Sequence, residues 1–259
     1  MALITLLTDF GTRDGFVGAV KGVLATRASG VPIHDVAHDL PPGDVRKAGL
    51  VLERYWDLFP PGSVHLVVVD PGVGTGRRGL AARALGRFLV GPDNGVFGGV
   101  LAGSENWKCV SLDASHLLPP PDHPTFHGRD LFAPAAAFLA TGTPLEALGA
   151  EVRDPRLLPE EPWRREGAWG VGRVLEVDRF GNLATNLPVE VVLQAKEIRV
   201  GSRILPLAGT FGDVDPGQPL ALVDSDGRVA LAVRDGSAAR VLAMGPGDEV
   251  RVPWPGPGV

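Results

Sequence analysis

The sequence predicts two domains: an α/β N-terminal domain, with a mostly parallel sheet flanked by helices, and a smaller, mainly β C-terminal domain. Three observations predict this. Strand-type and amphipathic runs alternate through the first half of the chain, the pattern of layered α/β domains. Val64 to Val69 is a near-continuous apolar run, as strands buried on both faces of a parallel sheet require. After about residue 150 the pattern changes to short β-type runs cut by Asp-Gly, Pro-Gly and Gly-Asp turns. The expected division is residues 1–152, a Pro-, Arg- and Glu-rich linker over 153–168, and residues 169–259.

Taken in order, residues 3–8 (LITLLT) read as a short buried strand stopped by Asp9 and Gly11. Phe16, Val17, Val20, Val23 and Leu24 then recur at helical spacing. Val31 to Ala37 is strand-like, and Asp44 is placed to cap a helix carrying Val45, Ala48, Leu52, Tyr55, Trp56 and Phe59. Further strands are expected at 80–85, 88–90 and 108–112, with a helix near 131–140. In the second domain the expected strands are 172–177, 197–200, 220–223, 229–233 and 240–243.

Composition narrows the function. Of 259 residues, 44% are hydrophobic and 21% charged, with a formal net charge of −5. That balance lacks the basic footprint of a nucleic-acid binder and the polybasic patch of a membrane-surface protein. No apolar stretch approaches the roughly 18 residues of a membrane span. The N-terminus has no basic region ahead of its apolar run, so a cytoplasmic location is expected. One cysteine, Cys109, excludes an intrachain disulfide framework and a thiolate metal cluster. Abundant proline, arginine in excess of lysine, and few Asn, Gln, Met and Cys residues predict a thermostable protein.

Three polar clusters could carry chemistry. Asp9 ends the first strand, Asp70 ends the strongest one, and His127 and Arg129 lie in PTFHGRD just before a helix. Ligands of open α/β sheets bind beyond the carboxyl ends of strands, where Asp9 and Asp70 stand. A turn or cap would use the same residue type. Gly74 to Gly79 matches G-x-G-x-x-G, with Asp93 at dinucleotide spacing. Its context is wrong for a dinucleotide site, because a strand rather than a helix is expected to follow. A metal site could draw on His123, His127 and Asp122, with His65 and Asp70 elsewhere, but Pro124 keeps the first two off one helical face. In VDRFGNLATN, Asp178, Phe180 and Asn182 surround a turn, with Phe211 and Ser225 in similar settings.

Together LLTDFGT, VVVDPGVGTGRR, GPDNGVF, PTFHGRDLF, VDRFGNLATN and SDGRVALAV resemble the S-adenosylmethionine (SAM) hydroxide adenosyltransferases, or SAM hydrolases, relatives of the fluorinases and chlorinases. The resemblance runs from Leu7 to about Ala239, with the motifs in family order. It implies hydrolysis of SAM to adenosine and L-methionine with no metal or other cofactor. It also implies a homotrimer, with each site between the N-terminal domain of one subunit and the C-terminal domain of its neighbour. On the matching positions, Asp9 would hold the ribose hydroxyls, and Asp178 and Ser225 the methionine amino and carboxylate groups. Asn182 would read the adenine edge, Phe180 and Phe211 would pack on the base, and backbone near Val233 and Asp235 would add hydrogen bonds. Asp70, Arg77 and His127 match the family's water-handling triad.

Against the halogenating relatives, Asp70 and His127 each stand in place of a tyrosine, Gly128 of a serine, Val73 of a threonine and Gly43 of a tryptophan. Arg234-Asp235 also replaces an Asn-led segment. A carboxylate at Asp70 is expected to repel halide, which favours water or hydroxide as nucleophile. Three alternatives stay open on the sequence: a halide-dependent halogenase, a non-catalytic SAM- or adenosine-binding module, and a metal hydrolase.

Overall fold

The computed structural model describes residues 2–118, 124–159, 162–193 and 195–254. The chain divides into two compact units, Met1–Pro159 and Glu160–Val259.

The first unit is built on six strands: β1 (Ile4–Thr8), β2 (Ile33–Ala37), β3 (Val64–Val68), β4 (Gly79–Ala84), β5 (Arg87–Pro92) and β6 (Lys108–Ser111). They lie in the order β2-β1-β3-β5-β4-β6. The β1–β2, β1–β3 and β3–β5 pairs are parallel, and β4 is antiparallel to both β5 and β6. The sheet is therefore mixed, where the sequence pattern leads one to expect a mostly parallel one. A two-residue turn, Leu85 (φ 44°) and Gly86 (φ 77°), reverses the chain from β4 into β5. Positive φ at both positions is the geometry of a tight hairpin, but Leu-Gly lacks the Asn-Gly or Asp-Gly signature that betrays one.

Among the described residues the α-helices that cover the sheet are α1 (Phe16–Arg27), α2 (Val45–Tyr55), α3 (Gly98–Ala102) and α4 (Ala133–Ala140). Strand alternation sorts side chains to two faces. Ile4, Leu6, Leu66 and Val68 pack with Val20 and Leu24 of α1 and the alanines of α4. Leu7, Val67 and Val69 pack with Leu52 of α2 and Leu101 of α3. Asp44 caps α2 as expected, accepting from the Lys47 amide at 2.9 Å. The short α3 has no counterpart in the sequence pattern.

The second unit contains β7 (Arg164–Glu166), β8 (Trp169–Val177), β9 (Leu183–Pro188), β10 (Glu197–Val200), β11 (Arg203–Pro206), β12 (Pro219–Val223), β13 (Arg228–Val233) and β14 (Glu249–Pro253). Their pairings are antiparallel, in the order β11-β10-β14-β8-β9-β13-β12, with β7 on β8. An isolated bridge from Leu207 to Ala221 brings the two ends of this sheet together, so that it nearly closes into a barrel around Val174, Leu183, Ile198, Leu231 and Val250. Strands β7, β9, β11 and β14 are additions to those expected from the sequence. Residues 240–243, expected as a strand, instead belong to a helical turn, α5 (Ala238–Leu242). The Ser237 hydroxyl caps that turn, accepting from the Arg240 amide at 3.3 Å, and the apolar run Val241–Ala243 is too short to distinguish the two periods.

Candidate active site

Strands β1 and β3 are parallel neighbours with Thr8 opposite Val68. Their carboxyl ends therefore deliver Asp9 and Asp70 side by side at one end of the strands, in the interior of the sheet order. Asp9 Oδ2 accepts the Gly43 N–H at 2.7 Å. Gly43 has φ +73°, a left-handed conformation that suits glycine and strains other residues.

After Asp70 the chain loops through Gly72 and Gly74 and returns, so that Arg77 meets Asp70 again. Arg77 Nε donates to Asp70 Oδ1 at 2.9 Å, and Nη2 donates to Oδ2, forming a bidentate pair. The side chains are only 8% and 6% exposed. Arg77 Nη2 also donates to His127 Nδ1 at 2.8 Å, and its guanidinium lies 5.1 Å from the centre of the Phe132 ring. His127 stands at the head of a wide helical turn, Gly128–Phe132, that leads into α4. An arginine has no lone pair to share, so Nδ1 is the unprotonated nitrogen and neutral His127 carries its proton on Nε2. Burial pushes the His127 imidazole below its ordinary value, the Arg77 charge adds to this, and Asp70 and Asp130 pull the other way.

A cavity of about 300 Å³ opens over these residues, with Asp9, Asp70, His127 and Gly43 in its lining. Phe10, Thr125 and Phe126 also line it, as do Val73 and Gly128. Sequence reasoning missed the first three as candidates, although each sits in a motif it singles out. Arg129 turns away from the assembly: it pairs with Asp130 and lies 5.1 Å from the centre of the Phe126 ring, along a neighbouring groove.

The dinucleotide match dissolves in the fold, because Gly79 opens β4 and no helix N-terminus follows the glycines. Among the described residues no group of three His, Cys, Asp or Glu side chains is arranged to hold a metal. Asp122 and His123 lie outside the described residues. His65 is fully buried within β3.

In the second unit, the turn between β8 and β9 is built by Asp178. Its Oδ1 accepts the Phe180 and Asn182 amides, each at 2.8 Å, and its Oδ2 accepts Asn182 Nδ2 at 2.8 Å. This leaves Phe180 77% exposed at the tip. Phe211, 46% exposed, rides a short helical turn, Phe211–Asp213. That turn is tied to the end of β13 by Arg234 Nη1, which donates to the Val214 carbonyl at 2.8 Å. Leu183 pairs with Leu231, so the 178–182 turn and Val233 lie toward the same end of β13. Asp235 follows in a left-handed conformation (φ 56°). Ser225 sits in the turn before β13, at the opposite end of that strand.

Residues 4–149 match the family model described as SAM hydroxide adenosyltransferase N-terminal domain, and residues 172–251 match that of the C-terminal domain. The chain belongs to the SAM hydroxide adenosyltransferase family. It is 43% identical to the (R)-S-adenosyl-L-methionine hydrolase of Thermus thermophilus, over 97% of this chain and 100% of that protein. It is 27% identical to the fluorinase of Actinopolyspora mzabensis, over 96% of each. Among solved structures it resembles a conserved protein from Thermotoga maritima, with a TM-score of 0.90, 36% identity, and coverage of 96% of this chain and 99% of that one.

Proposed function

We propose that this family member hydrolyses (R)-S-adenosyl-L-methionine to adenosine and L-methionine, by attack of hydroxide or water at ribose C5′. The observation that carries the reading is the Asp70–Arg77–His127 assembly, in which Asp70 and His127 line the strand-end cavity and the largely buried Arg77 side chain joins them. In the reaction an oxygen–carbon bond forms at C5′ while the C5′–sulfur bond breaks, and its electron pair stays on the methionine sulfur. When water is the nucleophile its second proton leaves to solvent. The leaving group is a neutral thioether, so neither a general acid nor a metal is needed.

What the chain must supply is a held nucleophile and in-line geometry. With Nδ1 occupied by Arg77, His127 offers Nε2–H, a donor suited to an anionic oxygen. His127 accordingly binds and orients hydroxide rather than removing a proton through Nδ1. An anionic nucleophile meeting a cationic sulfonium disperses charge in the transition state, which a dry pocket favours.

The ion pair changes the argument against halide. Because Asp70 is neutralised by Arg77, its repulsion of an anion is weakened. The stronger support is that Gly128 and Val73 offer no hydroxyl donor to a halide.

Asp9, held by Gly43, is assigned to the ribose hydroxyls. Phe180, Phe211, Asn182, Val233 and Asp235 are assigned to adenine, and Asp178 and Ser225 to the amino-acid part. The same reading takes the enzyme as a cytoplasmic, thermostable homotrimer without a cofactor, in which these second-unit residues complete the site of a neighbouring subunit.

The test is incubation of the purified protein with the R and S epimers of SAM in chelator, with and without halide, followed by chromatography of the nucleosides. Equal adenosine and methionine from the R epimer, indifferent to halide, is the expected result. A 5′-halo-5′-deoxyadenosine product would make the chain a halogenase. Tight retention of intact SAM would make it a binding module, and activity restored only by a divalent ion would make it a metal hydrolase.

A further inference from the structure

GPDNGVF is the motif that the assignments above leave without a role, and it lies where the sheet gives it leverage. Strand β5 runs between β3 and β4. The two residues that follow it, Asp93-Asn94, therefore fall between the chain entering the Asp70–Arg77 loop and the chain leaving it. Asn94 Nδ2 donates to the Val69 carbonyl at 2.8 Å, one residue before Asp70. The Asp93 amide donates to the Arg78 carbonyl at 2.9 Å, one residue after Arg77. Asp93 Oδ2 accepts Arg78 Nε at 2.7 Å.

The clamp is itself anchored. Asn94 Oδ1 accepts the Val96 amide at 3.2 Å, and Asp93 Oδ1 accepts the Arg156 amide at 2.7 Å. Arg78 reaches on to the Asp154 side chain at 2.9 Å and its carbonyl at 2.8 Å. Asp93 is buried, at 7% exposure, and neither it nor Asn94 lines the cavity.

We propose that Asp93 and Asn94 are positioning residues, a clamp on both shoulders of the 70–77 loop that holds Arg77 against Asp70 and His127. The proposal rests on the reading of that assembly as the nucleophile site. A loop of eight residues containing Gly72, Gly74 and Gly76 has many conformations open to it. Only a loop fixed at both ends keeps a bidentate contact in register, and Arg77 in turn fixes the tautomer of His127.

Three variants test this. Arg78→Ala removes the side-chain bonds of the outer shoulder, at a side chain that is 38% exposed, leaving its backbone bond from the Asp93 amide, and Arg78→Lys restores a cation for Asp93. Asn94→Ala cuts the inner shoulder. Both alanine variants are expected to lower kcat about tenfold or more, since small misplacements near the reacting atoms are costly. KM should stay within about twofold because no substrate contact is removed. Arg78→Lys should recover most of the loss.

The second readout does not use activity. The His127 imidazole, identified among the six histidines by its loss in His127→Gln, is titrated by NMR. Releasing Arg77 from Nδ1 should raise its midpoint in both alanine variants, with Asp70 and Asp130 still facing the ring. Folded Arg78→Ala protein with wild-type kcat and an unmoved midpoint overturns the clamp, whatever its melting temperature. If Asn94→Ala does not fold, Arg78→Ala decides alone. Failure of the wild-type protein to consume SAM would instead defeat the functional reading, while the midpoint still reports on the clamp.

Discussion

A guanidinium that can only donate decides the protonation of His127. Arg77 holds Nδ1 at 2.8 Å, so acid must break that contact before it can charge the ring. Burial and Arg77 both place the His127 midpoint below its ordinary value. The neutral form is therefore the working form, and activity should be lost as pH falls through that lowered midpoint. The acid limb of kcat is expected below about pH 6.5, the usual imidazole value. A limb at or above that value, or its survival in His127→Gln, would show that another group controls the rate. At this scale much was legible: strand-end logic and motif spacing singled out Asp9, Asp70, Arg77 and His127. The bond from Arg77 to both partners was not, because an eight-residue glycine loop returns to its start only when the strands around it force it to.

Element by element, the buried strand β3 carries an unusual passenger. His65 is fully buried, bonded through Nδ1 to the Thr5 hydroxyl at 2.8 Å, and ringed by Tyr55, Trp56 and Phe59. Burial, with help from Arg87, pushes its pKa down to about 4. Unfolded, it would titrate near 6.5, so between those values the unfolded chain binds more protons. Stability should therefore be fully present above about pH 6.5 and fall as pH drops toward 4, by on the order of 3 kcal/mol from this group. Denaturant unfolding at pH 7 and pH 4.5 is the check: wild-type protein should lose clearly more stability than His65→Asn. Equal losses would mean that His65 does not carry the effect. Sequence patterning found β3 itself with ease, since an apolar run bounded by Pro-Gly and Asp-Pro-Gly admits few other readings. It stumbled at 240–243, where Ser237 rather than the apolar residues determines the conformation, and at β4–β5, where an unfavoured Leu-Gly turn hides a hairpin.

For the whole molecule, the change of pattern after residue 150 was visible because parallel-sheet strands and short antiparallel strands have different side-chain rhythms. The near-closure of the second sheet was not, since the Leu207–Ala221 bridge joins segments with no mutual signature. The proposed trimer makes a prediction that one subunit cannot satisfy. His127→Ala and Asp178→Ala proteins, each inactive, are unfolded together and refolded as a mixture. If a site takes its nucleophile residues from one subunit and its 178–182 turn from a neighbour, about a quarter of sites should combine two intact halves. Activity near that fraction is expected, and a mixture as inactive as its parents would show that sites are not shared. The hairpin at Leu85–Gly86 has a practical consequence. It opens β5 at the end of the sheet opposite the cavity, and its leucine is 56% exposed. A cysteine placed there would give a single accessible thiol, the native Cys109 being buried with its thiol pushed up to about 12. The protein could then be tethered to a bead or electrode by the end of the sheet remote from its chemistry, with the cavity end left open to solution.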